Sequence, residues 1–71
     1  MEYQSVASSN VAAVAYDDAT STLGVRFLNG TEYHYSGVPR DVYEGLLSAS
    51  SVGTYFNQQI RNPGYPCSRV G

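Results

Sequence analysis

His34 is the only histidine in the chain, and it stands between two tyrosines in Tyr33-His34-Tyr35. A lone histidine on an alternating stretch has no partner marked for it, because none of the serines sits in a glycine-framed nucleophile elbow. Asp17-Asp18 suits a turn between strands better than a carboxylate dyad, and Ser51-Val52-Gly53 lacks the spacing of a phosphate-binding glycine loop. One cysteine, Cys67, cannot close an internal disulfide, and with one histidine it cannot supply a structural zinc site. The residue types therefore predict a binder that is not an enzyme and carries neither cofactor nor metal.

Recognition chemistry remains. All four basic residues, Arg26, Arg40, Arg61 and Arg69, are arginines, whose planar fork suits bidentate contact with phosphate or stacking on rings. Tyr16, Tyr33 and Tyr35 offer faces for stacking. The run Asn57, Gln58, Gln59 and Arg61 carries planar amides and a guanidinium that could read a nucleotide; the alternative is a solvated helix face with Arg61 favourable at its C-terminus. Tyr16, Tyr33, Tyr35, Arg40, Asn57 and Arg61 form the candidate ligand-binding set. A formal charge of −2 argues against a long polyanion, whereas a compact nucleotide needs only a few arginines and rings.

Only a few elements can position these side chains. The chain of 71 residues has room for one core, so residues 1–71 read as a single domain. A domain this small buries little surface, which makes a homo-oligomer an expected remedy. Val11 to Tyr16 reads as a strand, and Leu23, Val25 and Phe27 alternate as a second. Thr31 to Ser36 is a third, joined to the second by the hairpin signal Asn29-Gly30. After Gly37 the period becomes helical, with Pro39 at the first position and Val42, Tyr43, Leu46 and Leu47 as the apolar stripe. A second helix is capped by Ser50 or Ser51 and runs to about Arg61, with Val52, Phe56 and Ile60 recurring every four residues. The fold class is α+β: a three-stranded antiparallel sheet followed by two short helices packed on one face, with loose ends at about 1–8 and 62–71.

The hairpin register decides which face the tyrosines occupy. A two-residue turn at Asn29-Gly30 sets Arg26 opposite Tyr33 and leaves the tyrosines on the face away from the helices. A three-residue loop, Leu28-Asn29-Gly30, pairs Phe27 with Thr31, Val25 with Tyr33 and Leu23 with Tyr35. Packing favours the second arrangement, which gathers five large side chains beneath the helices and leaves Arg26, Glu32 and His34 in solvent.

The order Ser8-Ser9-Asn10-Val11, Ala15-Tyr16-Asp17, Leu23-x-Val25-x-Phe27, Tyr33-x-Tyr35, Gly37-Val38-Pro39, Ser51-x-Gly53, Phe56-Asn57 and Ile60-Arg61 resembles the KTSC domain. The likeness runs from about Ser5 to Arg61, with Tyr33-His34-Tyr35 matching the family's central Tyr-x-Tyr. The family takes its name from a C-terminal extension of some lysyl-tRNA synthetases and also occurs as small free-standing bacterial and phage proteins, so the resemblance implies RNA binding. The expected ligand is a phosphate-bearing nucleotide, either a short RNA element or a small or cyclic nucleotide held as a phage-type sequestering protein would hold it. The alternative is a protein-interaction or assembly module, since tyrosine and arginine are enriched at such interfaces too. No stretch is long and apolar enough for a membrane helix, and the first residues lack the order of a signal peptide, so a cytoplasmic location is expected.

Overall fold

The hairpin register is the decision on which the site depends, and the chain takes the three-residue loop. In the computed structural model, which describes residues 1–71, Val25 lies opposite Tyr33 and Leu23 opposite Tyr35. The Gly30 amide donates to the Phe27 carbonyl at 3.0 Å, the Phe27 amide to the Thr31 carbonyl at 2.8 Å, and Gly30 takes a φ of +93°. A left-handed residue at this position suits glycine because a side chain there would crowd the backbone.

Strand β1 spans Gln4–Ser5, β2 Val11–Asp17, β3 Thr22–Phe27, β4 Glu32–Tyr35 and β5 Cys67–Arg69. All neighbouring pairs are antiparallel, in the order β1-β2-β3-β4-β5. The sheet thus has five strands, not the three expected. The two further strands form its edges and come from short polar segments without alternation. Backbone bonding holds them in place, and no side chain of either is buried.

Helix α1 spans Arg40–Ser48, with Pro39 as its N-cap, and helix α2 spans Val52–Phe56. The Ser51 hydroxyl caps α2 by accepting from the Thr54 amide at 3.3 Å. The chain then widens into a π-helical turn over Asn57–Arg61, in which the Asn62 amide reaches back five residues to the Asn57 carbonyl at 2.9 Å. Val52, Phe56 and Ile60 still all point inward, as their spacing predicts. Gly45 serves a close approach: Tyr55 lies across α1 there, its hydroxyl donating to the Val42 carbonyl at 3.0 Å, and a Cβ on Gly45 would collide with the ring.

Both helices cover one face of the sheet. Val11, Val14, Leu23, Val25 and Tyr35 meet Val38, Tyr43, Leu46, Val52, Phe56 and Ile60 in one core, with Phe27 half-buried at its margin. On the opposite face Arg26 is exposed, as expected, whereas Glu32 and His34 are partly covered, and the N-terminal segment lies against Arg26 and Glu32. The Tyr3 hydroxyl donates to Glu32 Oε2 at 2.7 Å, and the Arg26 guanidinium sits 4.2 Å above the Tyr3 ring. Gly24 makes room for this strap, since a Cβ would strike the Tyr3 hydroxyl and come within 2.8 Å of Met1 Sδ. No helix is long and apolar enough to cross a membrane.

Candidate functional site

Where the β3–β4 hairpin meets the π-helical turn, the core is not closed over. Four rings make the wall. Phe27 packs edge-on to Tyr33 at 6.0 Å and to Phe56 at 5.6 Å, Phe56 packs edge-on to Tyr35 at 5.7 Å, and Tyr33 lies tilted against Tyr35 at 6.4 Å. Phe56 and Ile60 form a buried floor. Above them lies a hollow of about 740 Å³, within the range of small-molecule sites. Its rim is neutral and polar along Ser9, Asn10, Asn29 and Thr31, and is completed by Arg61, Tyr65 and Cys67.

The register explains the wall. Because the three-residue loop pairs Val25 with Tyr33 and Leu23 with Tyr35, both tyrosines project toward the helices and not away from them. Their hydroxyls make no hydrogen bond within the chain and are reached by solvent. Burial pushes the Tyr35 hydroxyl upward in pKa and Cys67 adds to this, while Arg61 pulls it back down.

Arg61 is the arginine whose side chain has no partner. Arg26 pairs with Glu32 at 3.3 Å, Arg40 is held by Asp18 and by Glu44, the latter at 2.9 Å, and Arg69 donates to the Gly71 carbonyl at 3.1 Å. Arg61 forms no ion pair or side-chain hydrogen bond, and no other charged residue lines the hollow. The π-helical turn ends at this residue and hands the chain to Asn62-Pro63-Gly64, which returns along the rim to β5.

The six sequence candidates therefore divide. Tyr33, Tyr35 and Arg61 converge on the hollow. Asn57 lines a separate polar hollow of about 320 Å³ with Ser8 and Ser50 to Thr54, and Ser9 and Asn10 belong to both. Tyr16 and Arg40 lie elsewhere, where the β2–β3 turn meets α1. There the Tyr16 hydroxyl donates to the Val38 carbonyl at 2.5 Å, its ring stacks on Tyr43 at 5.1 Å, and Asp18 foremost, with Glu44, raises the pKa of the Arg40 guanidinium. Tyr65 and Cys67 were not among the candidates, and their position among Pro63, Gly64 and Pro66 offered no periodic signal.

A sequence profile described as the KTSC domain matches residues 7–65. A protein of Stutzerimonas stutzeri (strain A1501) is 34% identical over 70 residues, covering 99% of both chains. A Tsukamurella paurometabola protein is 43% identical over 58 residues, covering 82% of this chain and 87% of its own. A lysine–tRNA ligase of Nostoc punctiforme is 38% identical over 53 residues, which are 75% of this chain but 9% of the ligase. Among solved structures, a KTSC domain protein from Yersinia pestis matches with a TM-score of 0.90 and 31% identity, covering 99% of this chain and 97% of that one.

Proposed function

The chain belongs to the KTSC domain family, and we propose that it is a non-enzymatic binding module that holds one phosphate-bearing nucleotide in the hollow beside Tyr33. The observation that carries this reading is the coincidence of an open aromatic wall with the one arginine that has no partner in the fold. A base stacks on the exposed part of the tyrosine wall, and Arg61 donates in parallel to two phosphate oxygens. The Asn10 and Asn29 amide nitrogens and the Ser9 hydroxyl, which make no hydrogen bond within the chain, suit ribose hydroxyls and base edges. A relative that is part of a lysine–tRNA ligase supports a nucleic-acid-derived ligand.

Tyr16 and Arg40 do not enter this reading, because their polar groups are already engaged. A single-stranded RNA would engage the hollow through one splayed nucleotide, and with one free arginine its affinity would fall only shallowly with salt.

Calorimetric titration of mono-, di- and cyclic nucleotides and short RNAs, at two salt concentrations, tests the proposal. At least one ligand should bind with a dissociation constant better than about 100 μM, a free energy of about −5.5 kcal/mol. Arg61→Ala should weaken it by about 1.5–3 kcal/mol, and Arg61→Lys should rescue poorly because it lacks the fork. No binding by any member would discard the nucleotide reading in favour of a protein-interaction module.

A further inference from the structure

We infer that the hollow selects a nucleotide whose phosphate carries a single negative charge and discriminates against di- and triphosphates. The inference rests on the nucleotide reading above and is drawn from the charges around the cavity. Arg61 is the only charged residue on its lining, so one positive charge faces whatever enters. A guanidinium fork neutralises one charge and satisfies two oxygens, which is the complement of a phosphate in the monoanionic, diester form.

Further phosphates find no second cation on the lining. Arg26 lies on the opposite face of the sheet in the Tyr3–Glu32 cluster, and Arg40 is held by Asp18 and Glu44. Arg69, opposite Tyr33 in the β4–β5 pair, keeps its charge, but its Nε donates to the Gly71 carbonyl and it is not part of the hollow's lining. The rest of the rim is amide, hydroxyl and ring, and the chain as a whole carries −2. Each added phosphate thus brings charge into a partly enclosed, low-dielectric hollow without compensation, and the surrounding field repels it.

The test is a titration of one nucleoside series, the 3′,5′-cyclic monophosphate, 5′-monophosphate, 5′-diphosphate and 5′-triphosphate, for adenosine and for guanosine. Magnesium is omitted so that no counter-ion masks the charge. The cyclic monophosphate should bind most tightly, and the triphosphate should be weaker by about tenfold at low salt. A gain-of-function variant sharpens the result. Ser9 lines the hollow, is exposed and makes no side-chain hydrogen bond of its own, so Ser9→Arg adds a second cation there. It should move the preference toward the diphosphate. Wild-type affinity that rises with phosphate number would overturn the single-charge inference and leave the nucleotide reading standing. If the whole series fails to bind a protein shown folded by NMR, the single-charge inference falls, and the nucleotide reading falls with it when the short RNAs fail as well.

Discussion

Tyrosine and arginine meet twice beside the helix-covered face of the sheet, with opposite results. Where the β2–β3 turn meets α1, Tyr16 stacks on Tyr43, its hydroxyl is taken by the Val38 carbonyl, and Arg40 is shared between Asp18 and Glu44. Where the β3–β4 hairpin meets the π-helical turn, Tyr33 and Tyr35 keep free hydroxyls and Arg61 keeps a free guanidinium beside a cavity. The residue types are the same. What differs is whether the fold has already satisfied their bonding capacity, and only unsatisfied capacity is available to a ligand.

Replacing Phe56 strikes hardest, because its ring supports Phe27 and Tyr35 in the wall while its position is nearly sealed from solvent. Phe56→Ala should cost about 3–5 kcal/mol and unfold so small a domain, read as loss of the cooperative thermal transition. An unchanged melting temperature would mean that the wall does not depend on α2. The next effect separates the two regions. Tyr16→Phe removes a made hydrogen bond and should cost about 0.5–1.5 kcal/mol in denaturant unfolding. Tyr33→Phe removes none and should leave stability unchanged. Equal losses would erase the distinction between engaged and free tyrosines.

Arg40→Ala should lower the melting temperature slightly, by an amount that high salt abolishes, because its partners are exposed. It should leave nucleotide affinity within about twofold, in contrast with Arg61→Ala. The smallest effect concerns a third tyrosine, engaged on the opposite face. Burial, together with the hydrogen bond to Glu32, pushes the Tyr3 hydroxyl up to about 12 from an ordinary 10.0. The fold favours the neutral phenol, so its contribution is complete below pH 10 and is lost as the pH rises toward 12. Wild type and Tyr3→Phe should therefore converge in stability across that window. Equal stability of the two proteins already below pH 10 would show that Tyr3 stabilises by packing alone.

Much of the arrangement was legible because local chemistry and packing agreed. Asn29-Gly30 marked the hairpin, and the demand for one apolar face chose between its two registers. Asp17-Asp18 fell where β2 runs into a turn, as expected: Asp17 ends the strand and its carboxylate accepts from the Ala19 amide at 3.0 Å, while Asp18 opens the turn. The edge strands were illegible because they bury no side chain, so no periodicity announces them. The site was half legible for a related reason. That Arg40 is engaged depends on Asp18, 22 positions away, and spacing along the chain does not report such a pair. Arg61 could be named a candidate from its place at a helix end. Tyr65 and Cys67, which complete its rim, could not.

The order of the strands has a dynamic consequence. Strands β1 to β4 pair each with its sequence neighbour, whereas β5 returns to β4 only after both helices have intervened. Its three residues are exposed, and the pairing of Cys67 with Tyr35 and of Arg69 with Tyr33 is a backbone attachment without a buried anchor. Such a strand belongs to the least stable cooperative unit of the molecule, opening with a free energy well below that of global unfolding. Amide hydrogens at Val70 and Ser36, which donate across this seam, then exchange ahead of those in the β2–β3 ladder. Because Cys67 forms part of the hollow's rim, the same fluctuation widens its mouth, and a ligand seated there would slow that exchange by holding the seam shut.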